Sequence, residues 1–434
     1  MTMAQMRPGL LPALIAACIL LLYACRAAQP DAEPDAADAA ASRPEVRLRY
    51  IEGSTVKVEQ LIGDIDNQTK QATFNQTLSR YSIRGTDLGY SFEHKGKAYF
   101  LFGDTVGSHE GDPIGVSTST NPLGPLALDF LTNADGSYLR IEPAGVSMAG
   151  FEIPTSGISI DGVIYVAVKT NYTPRALTDY SLLTRHDESR RRFEPLRELS
   201  RLPNGRFITT SLRLAPSDLK GLPSSGANVL IFGSGQYRRS NAYLAVVPAK
   251  TFATGEGTRY FAGLDAASKL QWSEVEADAA PIIDHATVGD LSVQYIPSLA
   301  MWVALYDSRS PQGVMLRYAS EPWGPWTAAQ VIFEPIRDQA WGVYIHNPNA
   351  SPPDDLGGPV IGPNTDVMRT QGGYYAPYMI ERFTRIEGDR LTLQYVLSTW
   401  NPYVVVRMRS SLSIERGKQA SAPSGPDRVA TLKD

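Results

Sequence analysis

Two aspartates, Asp87 and Asp104, sit near the ends of the stretch from Thr86 to Thr105, TDLGYSFEHKGKAYFLFGDT. The pattern reads as strand, turn, strand, with an almost wholly apolar second strand. In an antiparallel hairpin the first residue of one strand lies opposite the last residue of the other, so the two carboxyls meet at the open end. A pair of carboxyls can hydrolyse a glycosidic bond: one protonates the leaving oxygen, and the other acts as base toward water or as nucleophile at the anomeric carbon. Crowding drives their pKa values apart, which keeps one of them protonated near neutrality.

The same unit recurs four more times without strong identity. Its further copies start at Glu152 in FEIPTSGISIDGVIYVAVKTNY, at Thr210 in ITTSLRLAP, at Asp290 in VGDLSVQYIPSLAMWVALYDSR and at Tyr375 in YYAPYMIERF. The starts are 65, 58, 80 and 85 residues apart, spacings that suit antiparallel blades of three or four strands. STNPLGPL from Ser119 and SEPWGPW from Ser320 add a shared turn after a strand. A β-sandwich would have no reason to repeat one hairpin with equivalent polar ends. The expected fold is therefore all-β, a five-bladed β-propeller with a central polar funnel. A strand near Thr55 to Gly63 is expected to complete the last blade and close the ring, since an open ring leaves exposed edges.

If the first strands line the funnel, the hairpin rule gathers Glu152 with Asn171, Thr210 with Gln236, Asp290 with Asp307, and Tyr375 with Trp400 and Asn401 around one mouth. Asp87, Asp290, Asp104 and Glu152 are the catalytic candidates, with Asp104 read either as a reacting group or as the group that orients Asp87. Arg84, Asn171, Gln236, His285, Tyr375, Trp400, Asn401 and Tyr403 are the candidates for holding substrate, the aromatic ones by offering flat faces to sugar rings. Tyr99, Phe100 and Phe102 read as core, and the charge run HDESRRRFEPLRE from His186 as a solvated outer turn.

The five histidines, His94, His109, His186, His285 and His346, lack zinc-site spacing, so no metal is expected, although oxygen ligands in the channel leave room for a calcium ion. No G-x-S-x-G elbow and no P-loop is present, which argues against a serine esterase and a nucleotide hydrolase. A net charge of −4 in 434 residues gives no broad attraction for nucleic acid. The partners expected are a polysaccharide and, through the N-terminus, a membrane, with the protein itself a monomer.

That N-terminus, MTMAQMRPGLLPALIAACILLLYAC, has one basic residue and an apolar run from Gly9 to Leu22. Leu22-Tyr23-Ala24-Cys25 is similar to a bacterial lipobox, which would make Cys25 the lipidated first residue of a protein held outside the cytoplasm; an uncleaved membrane anchor is the alternative. Residues 26–44 are mostly Ala, Pro and Asp with nothing to bury and are expected to be a disordered tether, and 417–434, of the same character, a disordered tail, on either side of a catalytic domain at 45–416. With Cys18 in the leader and Cys25 acylated, the domain has no disulfide and depends on core packing alone.

GTDLGYSFEHKGKAYFLFGDT, YYAPYMIERF and LSTWNPYVVVRMRSSL resemble a bacterial family long described as a domain of unknown function and later linked to endo-D-arabinanases. The likeness spans Val56 to Leu412. It implies a propeller of the kind found in arabinanases and levansucrases, hydrolysis within a furanoside polymer, and Asp87 as the first catalytic carboxyl. A glycan-binding propeller without catalysis and an envelope scaffold are the other readings of the same funnel.

Overall fold

The structure is a computed structural model that describes residues 46–171, 180–362 and 366–417. The leader, Cys25, the tether and, apart from Gly417, the tail lie outside the described residues.

Five antiparallel sheets follow one another along the chain. The inner strands of blades 1 to 5 are Ile83–His94, Ile153–Ile160, Thr209–Leu214, Leu291–Ile296 and Gly373–Met379. Each is the first strand of its blade, and each expected unit start falls in it or one residue before it. In blades 1 to 4 the strands succeed one another in chain order from the inside outward. Each inner strand contacts the next, and that of blade 5 returns to that of blade 1, so the ring closes. The structure is thus a five-bladed propeller. The only α-helix among the described residues is the short Thr77–Tyr81.

The second strands explain why the sequence reads as nearly continuous apolar runs. Side chains alternate across a strand, and a blade is covered on both faces by its neighbours. In the second strand of blade 1, Lys97–Gly107, Phe100 and Phe102 point into a cluster shared with blades 4 and 5, while Tyr99 and Leu101 pack against Val166 and Val168 of blade 2. Blades 2 and 3 meet through Ile158, Leu183, Leu212 and Val229, and blades 3 and 4 through Phe232, Val293 and Trp302. The core is therefore a set of layers between blades. Each buried large apolar side chain contributes about 1.5–3 kcal/mol.

Closure uses the beginning of the described chain. Val56–Gln60 pairs with Val406–Arg409, as the sequence suggested, and a further strand not anticipated there, Val46–Tyr50, pairs with Leu412–Arg416. Glu59 holds the buried Arg407 at 2.8 Å across this seam. Both shared turns, at Ser119 and Ser320, follow third strands, Ile114–Ser117 in blade 1 and Gln312–Ala319 in blade 4. Of the run from His186, only residues 188–191 form the expected outer turn of blade 2; it starts in the third strand, Tyr180–Asp187, and continues into the outermost strand, Arg192–Arg201, with His186 and Phe193 buried.

Near the axis the inner strands approach closely enough to bond through small hydroxyls. Thr210 Oγ1 lies 3.0 Å from Thr155 Oγ1 and 2.6 Å from Ser156 Oγ, Val293 N donates to Ser211 Oγ at 3.1 Å, Met379 N donates to Ser292 Oγ at 3.1 Å, and Ser91 Oγ donates to Met379 O at 2.8 Å. Tyr90 and Tyr378, edge to face at 5.2 Å, fill the middle. The funnel is accordingly a cup, floored by this layer.

Candidate active site

A cavity of about 690 Å³ opens at one mouth of the ring and takes lining residues from all five blades. Blade 1 supplies Asp87 and Asp104. Thr86 pairs with Thr105 and Leu88 with Phe102, so Asp87 faces Gly103 and Asp104 in a bulge. Leu88 and Gly89 take the left-handed backbone there, with φ of 63° and 97°. Bulges re-aim side chains, and this one turns Asp87 into the cavity. Gly103 is required beside it, because a Cβ at that position would collide with Asp87 Oδ1. The inner strand of blade 5 is bulged too, between Tyr375 and Tyr378, and Tyr375 OH donates to Asp87 Oδ2 at 2.7 Å. Asp87 Oδ1 is buried with no hydrogen-bond partner among the described residues.

This environment resists ionisation. Burial, followed by the neighbouring charge of Asp104, pushes the Asp87 carboxyl up to about 8, against the opposing effect of Tyr375 and of Tyr403, whose ring lies beside it. Asp104 accepts from Phe151 N at 2.8 Å, and burial raises it to about 6. At neutral pH Asp87 therefore holds a proton while Asp104 has largely lost its own.

Blade 4 places Asp290 in the same cavity. Its backbone N donates to Asp307 Oδ1 at 2.8 Å, and Gly289 leaves room for that carboxylate, since a Cβ there would overlap it. Asp307 is fully buried and ion-paired with Arg238 Nε at 2.6 Å. Burial, then the charge of Asp307, raises Asp290 to about 6.

Of the other sequence candidates, Gln236, Tyr375, Trp400 and Tyr403 line the cavity. Five do not. Glu152 turns back into its own loop, taking hydrogen bonds from Ser147 Oγ and from Ala149 N, the latter at 2.8 Å. Asn401 staples neighbouring loops, accepting from Gly358 N at 2.7 Å and donating to Val367 O at 2.6 Å and Thr370 O at 2.8 Å. His285 is held outside the cup by Tyr306 OH at 2.8 Å and Ser310 O at 2.6 Å. Arg84 and Asn171 are exposed beyond the rim. The hairpin rule finds strand ends correctly, but it does not say whether a side chain turns toward the axis or into a loop.

The sequence reading missed Lys169, Tyr237, Arg238, Arg239 and Arg309, all of which line the cavity. A signal was present: Lys169 and Arg309 flank the second strand ends already singled out, and Tyr237 to Arg239 directly follow Gln236. It also missed Asp112, fully buried with no hydrogen-bond partner among the described residues for either carboxyl oxygen and pushed well above the usual carboxylate range by burial and then by Asp104 and Asp87. Among the described residues no group of three or more His, Cys, Asp or Glu side chains could hold a metal ion.

A family model, Domain of unknown function (DUF4185), matches residues 72–409. The chain belongs to that family. No curated protein matches it. Among solved structures it is similar to the catalytic domain of Coprinopsis cinerea GH62 alpha-L-arabinofuranosidase, at 11% identity and a TM-score of 0.45, over 83% of this chain and 98% of that one. The GH43_1 enzyme from Xanthomonas citri matches at 11% identity and a TM-score of 0.39, over 75% and 87% of the two chains. A protein of unknown function from Dyadobacter fermentans matches at 10% identity and a TM-score of 0.38, over 83% of this chain and all 100% of its own. At such distances these matches leave the activity of the DUF4185 chain to be read from its own side chains.

Proposed function

We propose that the protein is a glycoside hydrolase that cleaves within a furanoside polysaccharide, D-arabinan being the first candidate from the family resemblance. One observation carries the reading: two carboxyls, Asp87 and Asp104, stand together in a concave, aromatic-walled cup with their acidities pushed apart, one to about 8 and the other to about 6. Pairs of this kind divide acid and base roles.

In the mechanism that follows, Asp87 is the general acid and passes its proton to the glycosidic oxygen as the bond to the anomeric carbon breaks. Tyr375 OH stabilises the carboxylate left behind. Asp104, ionised and fixed by Phe151 N beside Asp87, acts as base toward water or as nucleophile. Asp290, across the cup on blade 4, receives substrate hydroxyls and adds negative charge that helps keep Asp87 protonated. Trp400, Tyr403 and Tyr375 supply flat walls for the sugar rings. The lipobox-like Leu22 to Cys25 supports a location outside the cytoplasm, with the domain tethered to a membrane through Cys25.

The test is product analysis after incubating the full chain, and its Asp87→Asn variant, with mycobacterial arabinogalactan, plant L-arabinan, fructan and xylan. Oligosaccharides from one polymer, absent with the variant, are expected. Retention of a polymer with no products from any would replace the hydrolase with a binding protein.

A further inference from the structure

The cup is unusually cationic for a protein whose net charge is −4. Lys169, Arg238, Arg239 and Arg309 all line it. Arg238 is committed to the buried Asp307. The other three have no ion-pair partner among the described residues; Lys169 meets only the ring of Tyr237, at 5.4 Å. Arg239 and Arg309 are exposed at the rim, on blades 3 and 4.

With Asp87 protonated, the four cations face Asp104, Asp290 and Asp307, so the cup carries an excess of positive charge. The charge of Lys169 favours the ionised form of both Asp104 and Asp290, which accounts for its presence without any ligand. Neutral sugars are held by stacking and by amide or carboxylate hydrogen bonds; an unpaired guanidinium suits a planar or tetrahedral anion, which it binds through two parallel N–H groups.

We propose that the furanoside polymer carries acidic substituents, and that Arg239 and Arg309 bind a carboxylate or phosphate ester on a sugar at the blade 3 and blade 4 side of the cup. This inference rests on the cup being the substrate site of the hydrolase. It concerns the sugar beside the scissile bond, since Asp87 and Asp104 stand on blade 1 across the same cavity.

The experiment is isothermal titration of the full-length Asp87→Asn protein with D-arabinose 5-phosphate and D-arabinose, and with D-glucuronate and D-glucose. A charge-assisted pair of hydrogen bonds predicts that one acidic sugar binds about tenfold or more tightly than its neutral counterpart. Which acidic sugar gains tells phosphate from carboxylate. In Arg239→Gln/Arg309→Gln, two exposed positions whose change leaves the core intact, the preference should vanish while neutral sugars bind as before. Equal or undetectable binding of acidic and neutral sugars, or a preference that survives the double variant, overturns the inference. Cleavage of a neutral polymer with no acidic preference would leave the hydrolase standing and this inference refuted. Acidic preference that vanishes in the double variant, without turnover of any polymer, would refute the hydrolase and leave the cup as a binding site for acidic sugars.

Discussion

The hairpins of blades 1 and 4 are built alike and behave differently. Each sets two aspartates at the open end of its first two strands, and each has a glycine that makes room for one of the carboxylates, Gly103 for Asp87 and Gly289 for Asp307. In blade 4 a guanidinium meets the pair: Arg238 neutralises Asp307, which in turn anchors Asp290 through its backbone. In blade 1 no cation among the described residues is in ion-pair contact with either carboxyl, and Asp87 has a phenol instead. A guanidinium fixes a carboxylate as an anion, whereas a phenol in a buried pocket leaves the proton in place until the reaction needs it moved. One backbone device thus yields a structural ion pair on one side of the cup and a candidate acid and base on the other.

The largest effect that would sharpen this contrast is on turnover. Asp87→Asn should lower hydrolysis by about 10²–10⁴-fold, the usual contribution of a positioned acid, while the unfolding midpoint stays close to that of the parent. Unchanged turnover would remove blade 1 from the chemistry. Arg238→Gln should act in the opposite sense. It leaves Asp307 buried without its partner, a loss of about 3–5 kcal/mol, to be read from urea unfolding. A stability change below about 1 kcal/mol would mean that the two hairpins differ less than their contacts indicate.

Asp112, buried and acted on by the charges of Asp104 and Asp87, should have a smaller effect. Asp87, Asp104, Asp112 and Asp290 all have raised pKa values in the fold. The native state therefore binds more protons than the unfolded chain at pH values above the ordinary carboxylate range. Stability must then fall as pH rises from about 4 toward 8. Asn at position 112 mimics the protonated acid, so Asp112→Asn should flatten that decline. Urea midpoints at pH 5 and pH 8 for the two proteins provide the check, and parallel declines would show that Asp112 does not contribute.

Much of this arrangement was legible in the sequence because propeller geometry converts strand position into radial position. An apolar second strand such as KAYFLFG must be covered on both faces, and polar residues at the start of a first strand must reach the mouth. That logic located Asp87, Asp104, Asp290, Gln236, Tyr375, Trp400 and Tyr403 in one cavity. It could not distinguish them from Glu152 or Asn401, whose side chains serve their own loops, because that choice depends on a χ angle and on local backbone bends. It also stopped at the strand ends. Arg238 and Arg239 lie in the loop after a second strand, Arg309 is the last residue of one, and all three reach back over the mouth. Alternation along the strands carries no information about where a loop returns. The bulge at Asp87 was hidden as well: Leu88 in the left-handed region, at φ 63°, is not something its residue type announces.

The finest test concerns the proton itself. If Asp87 is the acid and Asp104 the base, kcat/KM should rise through about pH 6 as the base ionises and fall through about pH 8 as the acid loses its proton. Tyr375 OH donates to Asp87 Oδ2 and so favours the charged form. Tyr375→Phe removes that donor from a carboxyl that is mostly protonated, so the fold should tolerate it, unlike Arg238→Gln. The loss of a hydrogen bond to a charged group should move the falling limb upward by about one pH unit. The rising limb, which belongs to Asp104, should stay where it is. At neutral pH the variant would retain its acid in the correct state yet work more slowly, because the departing proton leaves behind a less stabilised carboxylate. A falling limb that does not move, or one that moves to lower pH, would mean that the proton resides on another group, and the contrast between the two hairpins would then rest on structure alone.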